Sequence, residues 1–160
     1  CVRYLYYLGV NNTIRAMYLA FLFHDAVYHV DSKKKEERSA GHARAWLSHM
    51  NDPDSSLICN FILLTALDAA EPTDDAGKHF LDIDYAILGQ DEAMYLRYAE
   101  QVKKEYCGYY SEDVFSRGRA EFLETQLQKE KIFRTEHFQK LLEEQARKNM
   151  ERELNNIIGT

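Results

Sequence analysis

Apolar residues recur at three- and four-residue spacing along most of the chain, and no stretch alternates apolar and polar residues for long. Only two prolines and seven glycines interrupt this pattern. The sequence therefore offers little material for strands and tight turns. The pattern predicts an all-α fold, a bundle of about seven to eight helices, with the 160 residues forming a single domain.

Capping residues and helix breakers place the ends of the predicted helices. The acidic segment from Glu71 to Lys78, between the fourth and fifth predicted helices, is predicted to be a surface loop. The predicted helices run from Cys1 to Leu8, from a cap among Asn11, Asn12 and Thr13 to about Tyr28, from Glu36 to Met50, from Asp54 to about Ala70, from Phe80 to Leu88, from Gln90 to Tyr106, from Ser111 to Lys129, and from Thr135 to Gly159.

Charge and cysteine content narrow the function classes. The formal net charge of −6 gives no basic field for nucleic acid, so we expect no DNA partner. The longest strongly apolar run, Ala16 to Phe23, is far shorter than the roughly 20 residues of a membrane span, so we expect no membrane. Cys1, Cys59 and Cys107 are odd in number and widely spaced, which favours a reducing, cytoplasmic location.

An adjacent imidazole and carboxylate, His24 and Asp25, lie in the second predicted helix. That helix is apolar around nearly its whole circumference, which is typical of a helix buried on all sides. A buried, unpaired carboxylate costs several kcal/mol, so Asp25 would need a cation, a strong set of donors or a proton. A divalent metal meets this need. Alternatively, His24 and Asp25 are satisfied separately by hydrogen bonds, or lie where the helix reaches the surface.

Two further carboxylates, Asp82 and Asp84, interrupt the short apolar segment from Phe80 to Gly89. Residues two apart on a helix point in different directions, so only one of them should face the interior. Asp82 could instead cap the start of its helix, a role that aspartate fills readily.

Two glutamates, Glu36 and Glu37, begin the predicted third helix. The helix dipole favours carboxylates in a first turn, so a purely structural role suffices to explain them. In a catalytic role, one of them would turn towards the metal and act as a general base or orient a water molecule.

Several segments together resemble the predicted metal-dependent phosphohydrolases of the HD superfamily, and they keep the family's order over most of the chain. A single His-Asp dipeptide is weak evidence, whereas six ordered matches are much stronger. The resembling segments are LAFLFHDAVY (19–28), EERSA (36–40), FLDIDYAILG (80–89), YLRY (95–98) with Glu105 and Tyr106, Gly118-Arg119, and ARKNMEREL (146–154).

The resemblance implies an HD-domain helical bundle that holds a divalent cation. Its ligands are a histidine from an early helix, the adjacent pair that His24 and Asp25 match, and an aspartate from a later helix, for which Asp84 is the choice and Asp82 the alternative. The cation (Mn, Mg, Fe, Co, Ni or Zn) offsets charge on a phosphoryl oxygen and lowers the pKa of a bound water molecule.

The chain departs from the family pattern at two positions. No histidine precedes His24, so we expect that the helix carrying the family's first histidine is missing or that this ligand is lost. The subgroup tends to carry a histidine after a threonine downstream of the fourth helix, where this chain has Asp68. On the resemblance, Asp68 is expected to bind substrate or a hard cation, and Arg119 of the Gly-Arg pair is expected to face a phosphate of the substrate or to be a structural cation. Glu36 and Glu37 fit the subgroup pattern as catalytic residues.

The sequence is compatible with three functions. The first is that of a metal-dependent phosphohydrolase, an enzyme that hydrolyses a phosphomonoester or phosphodiester in a small phosphorylated molecule such as a nucleotide. The second is that of a catalytically lapsed HD fold that binds a ligand or a protein partner. The third is that of a helical scaffold whose aromatic-rich helices and long terminal helix form a homodimer.

Overall fold

The computed structural model describes residues 11–27, 34–66 and 69–159. Over these ranges the chain is helical and contains no strand, which confirms the predicted all-α class. The helices described are α1 (Asn12–Phe23), α2 (Lys35–His49), α3 (Ser55–Leu64), α4 (Asp75–Tyr85), a 3-10 helix (Ala86–Gly89), α5 (Glu92–Tyr106), α6 (Glu112–Gln128) and α7 (Glu136–Ile158).

The chain divides into two compact units, Cys1–Phe80 and Leu81–Thr160, and the division falls within α4. The prediction of a single domain stays a prediction. The predicted helix from Cys1 to Leu8 lies outside the described residues.

In the first unit, α3 packs against both α1 and α2. Aromatic side chains join the core: the ring of Phe80 lies 4.4 Å from that of Phe21 and 5.0 Å from that of Phe61, between ring centroids. The buried apolar residues of this unit are Ala16, Leu19, Ala20, Ala40, Ala43, Leu47, Ile58, Cys59, Phe61, Ile62 and Phe80.

A charged cluster fixes the connection between α2 and α3. The guanidinium of Arg15 on α1 is almost fully buried. It donates to both carboxylate oxygens of Asp52, and its Nη1 lies 2.7 Å from Oδ2 of Asp54. Asp52 also accepts the backbone N–H of Asp54 at 3.0 Å, which shapes the turn before α3. Two carboxylates from this connection therefore meet one arginine from α1.

In the second unit, the 3-10 helix packs closely on α7, and α6 packs along α7. An ideal Cβ placed on Gly89 would lie 2.5 Å from Cβ and 2.8 Å from the carbonyl oxygen of Leu142, so only glycine allows this approach. Asn149 on α7 donates to the carbonyl oxygens of Leu88 and Gln90, both at 2.8 Å. The core of this unit comprises Leu88, Tyr95, Leu123, Ile132, Phe133, Ala146 and Met150.

Side chains of α7 hold the segment that leads into it, residues 129–135. The carboxylate of Glu143 accepts the backbone N–H groups of Ile132 and Phe133 at 3.0 to 3.2 Å. Arg147 donates to the carbonyl oxygens of Lys129 and Glu130, at 2.8 and 3.0 Å. An irregular segment whose polar backbone groups are paired in this way can be buried, and Ile132 and Phe133 are.

Helix α1 differs from its prediction in length and in burial. It ends at Phe23 rather than near Tyr28. The N–H of Ala26 donates to the carbonyl oxygen of Phe23, three residues earlier, and the N–H of Val27 donates to the Ser39 hydroxyl. Burial on all sides was a wrong expectation, since three large apolar side chains on one face are exposed. They are Ile14, Tyr18 and Leu22.

The ends of α3 and α4 also differ from prediction. Helix α3 ends at Leu64, several residues before Ala70. Helix α4 begins at Asp75, within the segment expected to be a loop, because Oδ1 of Asp74 accepts the N–H of Gly77 at 2.8 Å and caps the helix. Membrane crossing by a single helix would need a longer and more apolar helix than any in the described ranges.

Replacing Gly89 with alanine should lower the free energy of unfolding by about 2–3 kcal/mol, because the backbone of Leu142 cannot yield to a new Cβ without moving α7. Gly118→Ala is the matched control: Gly118 lies within α6, and nothing lies within 4 Å of the position that its Cβ would occupy. That control should gain up to about 1 kcal/mol from helix propensity. Urea unfolding followed by circular dichroism measures both, and equal stabilities would contradict the close approach.

Arg15→Met should destabilise the protein by about 3–5 kcal/mol at pH 7, because Asp52 and Asp54 lose their buried partner. Burial opposes ionisation of Asp52, but the hydrogen bonds from Arg15 and from the backbone of Asp54 outweigh it, and the pKa of Asp52 is lowered. The stabilisation from the ionised Asp52 carboxylate is therefore complete above the ordinary aspartate pKa, and it is lost as the pH falls through the lowered pKa of Asp52 in the folded protein.

Urea unfolding between pH 7 and pH 3 checks this prediction. The difference in unfolding free energy between the wild type and Arg15→Met should shrink as the solution becomes more acidic. Arg44→Met, which changes an exposed arginine of α2, is the control and should leave stability nearly unchanged. A difference that is constant across this pH range would contradict the ion-pair account.

Candidate functional site

His24 and Asp25 lie at the C-terminal end of α1. The backbone N–H of His24 still donates to the carbonyl oxygen of Ala20 at 2.8 Å, as the last residue of the helix. The N–H of Ala26 then donates to the carbonyl oxygen of Phe23 at 3.0 Å, which turns the chain away from the helix axis. The pair thus occupies a turn at the end of the helix.

The two ring nitrogens of His24 have different partners. Nδ1 lies 2.9 Å from the carbonyl oxygen of Phe21, which can only accept, so Nδ1 carries a proton and donates. Nε2 lies 3.2 Å from Oδ2 of Asp25. A hydrogen bond from Nδ1 to a backbone carbonyl fixes the orientation of the ring, and it leaves Nε2 as the nitrogen that binds a proton or a cation beside the carboxylate.

Asp25 is exposed rather than buried, with 57% of its side chain accessible. The hydrogen bond with His24 lowers the pKa of Asp25; partial burial opposes this shift, and the charges of His24 and Lys35 add to it. Asp25 is therefore ionised near neutral pH. The sequence argument that a buried carboxylate here requires a cation was wrong in its premise, because α1 reaches the surface at this point.

Glu36 and Glu37 differ in their surroundings although they are adjacent in the first turn of α2. Only 13% of the Glu36 side chain is exposed, and its carboxylate lies 3.8 Å from Nζ of Lys35. The Glu37 side chain is 64% exposed and lies 3.5 Å from Nζ of Lys34. Of the two candidate catalytic glutamates, Glu36 is thus the one shielded from solvent.

Asp82 is fully buried in the second unit and binds backbone and hydroxyl donors. Its Oδ1 accepts the N–H of Arg134 at 2.7 Å, and its Oδ2 accepts the N–H and the hydroxyl of Thr135 at 2.8 and 2.7 Å. Asp82 does not cap its own helix, because α4 starts seven residues earlier, at Asp75. It holds the residues that immediately precede α7, and the Thr135 hydroxyl is directed to Asp82 rather than to α7.

Asp84 lies on another side of α4 and is partly buried. The expectation that only one of the two aspartates faces the interior is confirmed, but the interior one is Asp82, and Ile83 between them is exposed. Asp68, predicted to bind substrate, lies outside the described residues.

Arg119 is buried in the second unit and forms an ion pair, as in the structural alternative to a phosphate-facing role. Its Nε and Nη2 donate to the two carboxylate oxygens of Glu153 at 2.8 and 3.0 Å, and the Tyr95 hydroxyl donates to the same carboxylate. Its guanidinium also lies 5.4 Å from the ring centroid of Tyr98. Burial and the hydrogen bond to Glu153 raise the pKa of Tyr95, so that hydroxyl stays protonated.

One signal in the sequence could have found this network. Glu153 falls within the apolar stripe of α7, three residues after Met150 and four before Ile157, where a charged side chain must meet a partner. The carboxylate of Glu153 therefore marks a buried pair, whereas nothing local to Gly118-Arg119 indicates which acid it meets.

No group of three or more histidine, cysteine, aspartate or glutamate side chains that could hold a metal ion occurs among residues 11–27, 34–66 and 69–159. His24 and Asp25 are therefore a two-residue pair, and they belong with Glu36 and Glu37 to the first unit, whereas Asp82, Asp84 and Arg119 belong to the second. Comparisons of the chain with protein-family models, curated proteins and solved structures found no match.

Asp82→Asn should destabilise the protein by about 2–3 kcal/mol, because an amide cannot accept all three hydrogen bonds from Arg134 and Thr135. Asp84→Asn, on the same helix and only partly buried, is the control and should cost less. Thermal unfolding of the two variants measures the difference. Equal melting temperatures would show that Asp82 does not hold the start of α7.

Proposed function

We propose that this chain is a metal-dependent phosphohydrolase that acts on a small phosphorylated molecule, and that His24 and Asp25 hold its divalent cation. The observation that carries the proposal is the orientation of the His24 ring. Its Nδ1 is anchored on the Phe21 carbonyl oxygen, and its Nε2 faces the Asp25 carboxylate at 3.2 Å. The resemblance to the HD superfamily supplies the reaction class.

The donor set of the pair suits such a cation. An imidazole nitrogen and a carboxylate oxygen together are common ligands of Mn²⁺, Fe²⁺, Co²⁺, Ni²⁺ and Zn²⁺, whereas Mg²⁺ prefers oxygen alone. A carboxylate that is ionised and exposed needs no rearrangement to bind a cation from solution, and Asp25 is both. Nε2 of His24 and the carboxylate of Asp25 would hold the cation.

When bound, the cation supplies charge neutralisation for a phosphoryl oxygen and acidifies water. The residues of the chain then have distinct parts in the proposal. Asp25 and the oriented ring of His24 bind the cation, and Glu36, the shielded glutamate, accepts a proton from water as general base. Asp84 is proposed as a third ligand on the resemblance alone, and Asp68 keeps its proposed role at the substrate on the same ground.

A second candidate function is that of a catalytically lapsed HD-like protein that binds a ligand or a partner. Two other predicted site residues favour it, because both are occupied by internal contacts: Arg119 by Glu153, and Asp82 by the segment before α7. A buried arginine with a bidentate carboxylate partner is poorly accessible to a phosphate. Under this hypothesis any cation is held weakly and hydrolysis is absent.

Calorimetric titration with Mn²⁺ tests the metal site directly. The wild-type chain should bind the ion, and His24→Ala and Asp25→Asn should each weaken the affinity by at least about tenfold, because each removes one ligand atom. His42→Ala is the matched control, since it removes an exposed histidine from α2 of the same unit. Asp84→Asn, measured in the same way, tests the third ligand.

Hydrolysis of p-nitrophenyl phosphate and of bis(p-nitrophenyl) phosphate with Mn²⁺ present distinguishes the two candidate functions. The phosphohydrolase should release nitrophenol from at least one ester, and Glu36→Gln should slow this release by about 100-fold or more while Glu37→Gln does not. Binding of Mn²⁺ without turnover of either ester would favour the lapsed, binding function. A wild-type chain that binds no Mn²⁺ would remove the main physical support of the phosphohydrolase proposal and leave the binding function in its place.

A further inference from the structure

Ser39, in the second turn of α2, is fully buried, and its hydroxyl forms its hydrogen bond with a residue outside that helix. Its Oγ accepts the backbone N–H of Val27 at 3.1 Å and lies 3.5 Å from the carbonyl oxygen of the same residue. A serine within a helix commonly directs its hydroxyl to the carbonyl four residues earlier. Ser48 on the same helix does so, donating to Arg44 at 2.7 Å.

The position of Val27 gives this contact its significance. Val27 follows Asp25 by two residues, and the turn that carries His24 and Asp25 is held at its other end by the hydrogen bonds from His24 to Ala20 and from Ala26 to Phe23. Ser39 thus anchors the far end of the same turn to α2. Asp25 lies between two fixed points, which limits the backbone conformations that would move its carboxylate away from the imidazole.

The same contact sets the helix that carries Glu36 against this turn. Glu36 and Ser39 are three residues apart on α2 and therefore share a face of the helix. Ser39 meets the turn from that face, and Glu36 is the glutamate with the shielded carboxylate. A single hydroxyl therefore ties together the two segments of the first unit that carry candidate site residues.

We propose that Ser39 is a positioning residue: through Val27 it fixes the turn that places Asp25 beside Nε2 of His24. The consequence for metal affinity rests on the proposed function, but the geometric role does not. Groups that orient metal ligands without touching the metal commonly change affinity by about 10- to 100-fold when they are removed. Ser39→Ala should therefore alter the His24–Asp25 pair although it removes neither ligand.

Two measurements on the metal-free protein test the geometric role. Hydrogen exchange of the Val27 amide should accelerate by about tenfold in Ser39→Ala, because the amide loses its acceptor. The ¹⁵N chemical shifts of the His24 ring should also change, since the position of Asp25 is released. Ser48→Ala, which removes a hydroxyl from the exposed side of the same helix, should leave both signals as in the wild type, and Ser39→Thr, which keeps the hydroxyl, should restore them.

Titration with Mn²⁺ then gives the functional readout, where Ser39→Ala should bind about tenfold more weakly than Ser48→Ala. Faster exchange of Val27 with unchanged His24 shifts would overturn the proposal, because Ser39 would then only secure the local backbone. Unchanged exchange and unchanged shifts would overturn it as well. If the wild type binds no Mn²⁺, the proposed function fails, and the His24 shifts still decide whether Ser39 positions the pair.

Discussion

A charged group removed from water must be paired, and three residues show how that requirement organises this chain. Arg15, Asp82 and Arg119 are the charged side chains that are buried in the described ranges. Each meets partners far away in sequence: the aspartates of the turn before α3, the backbone before α7, and Glu153 on α7. The apolar stripes explain why the helices pack. The contacts of the three buried charged residues fix the turn before α3, the segment that leads into α7, and the position of α6 against α7.

The same requirement separates the candidate site from the rest of the fold. Asp82 and Arg119 are buried and have partners within the second unit, so their contacts account for them structurally. His24 and Asp25 lie at a helix end, where the Asp25 carboxylate is exposed to solvent and lies 3.2 Å from Nε2 of His24. A site that exchanges ligands with solvent must keep polar groups accessible, and the Asp25 carboxylate meets that condition.

Helical periodicity and capping residues together predicted the helices that are amphipathic and have clear caps. Helices α2, α5, α6 and α7 begin and end within two residues of their predicted bounds, because Asp91 and Ser111 cap by side-chain hydrogen bonds and Gly159 ends the last helix. The ends of α1 and α3 were placed too late. Their apolar runs continue beyond the helices, and at the end of α1 a contact with Ser39, twelve residues away, takes the backbone donor that a longer helix would need.

The candidate site was predictable only in part. The adjacency of His24 and Asp25 and the first-turn position of Glu36 are features of the sequence. The exposure of His24 and Asp25 cannot be inferred from the sequence, since it depends on where α1 ends. The shielding of Glu36 relative to Glu37 depends on which face of α2 packs against the protein. The pairing of Arg119 with Glu153 joins residues 34 positions apart, and helical periodicity cannot select such a partner.

The proposed site requires that His24 and Asp25 bind one divalent cation between Nε2 and the carboxylate. Anomalous X-ray diffraction from crystals of the chain soaked in Mn²⁺ tests this requirement most directly, because the anomalous signal locates the ion without reference to activity. We expect the strongest anomalous peak to lie beside both Nε2 of His24 and the carboxylate of Asp25. A strongest peak at other residues, or no peak at this pair, would contradict the proposed metal site.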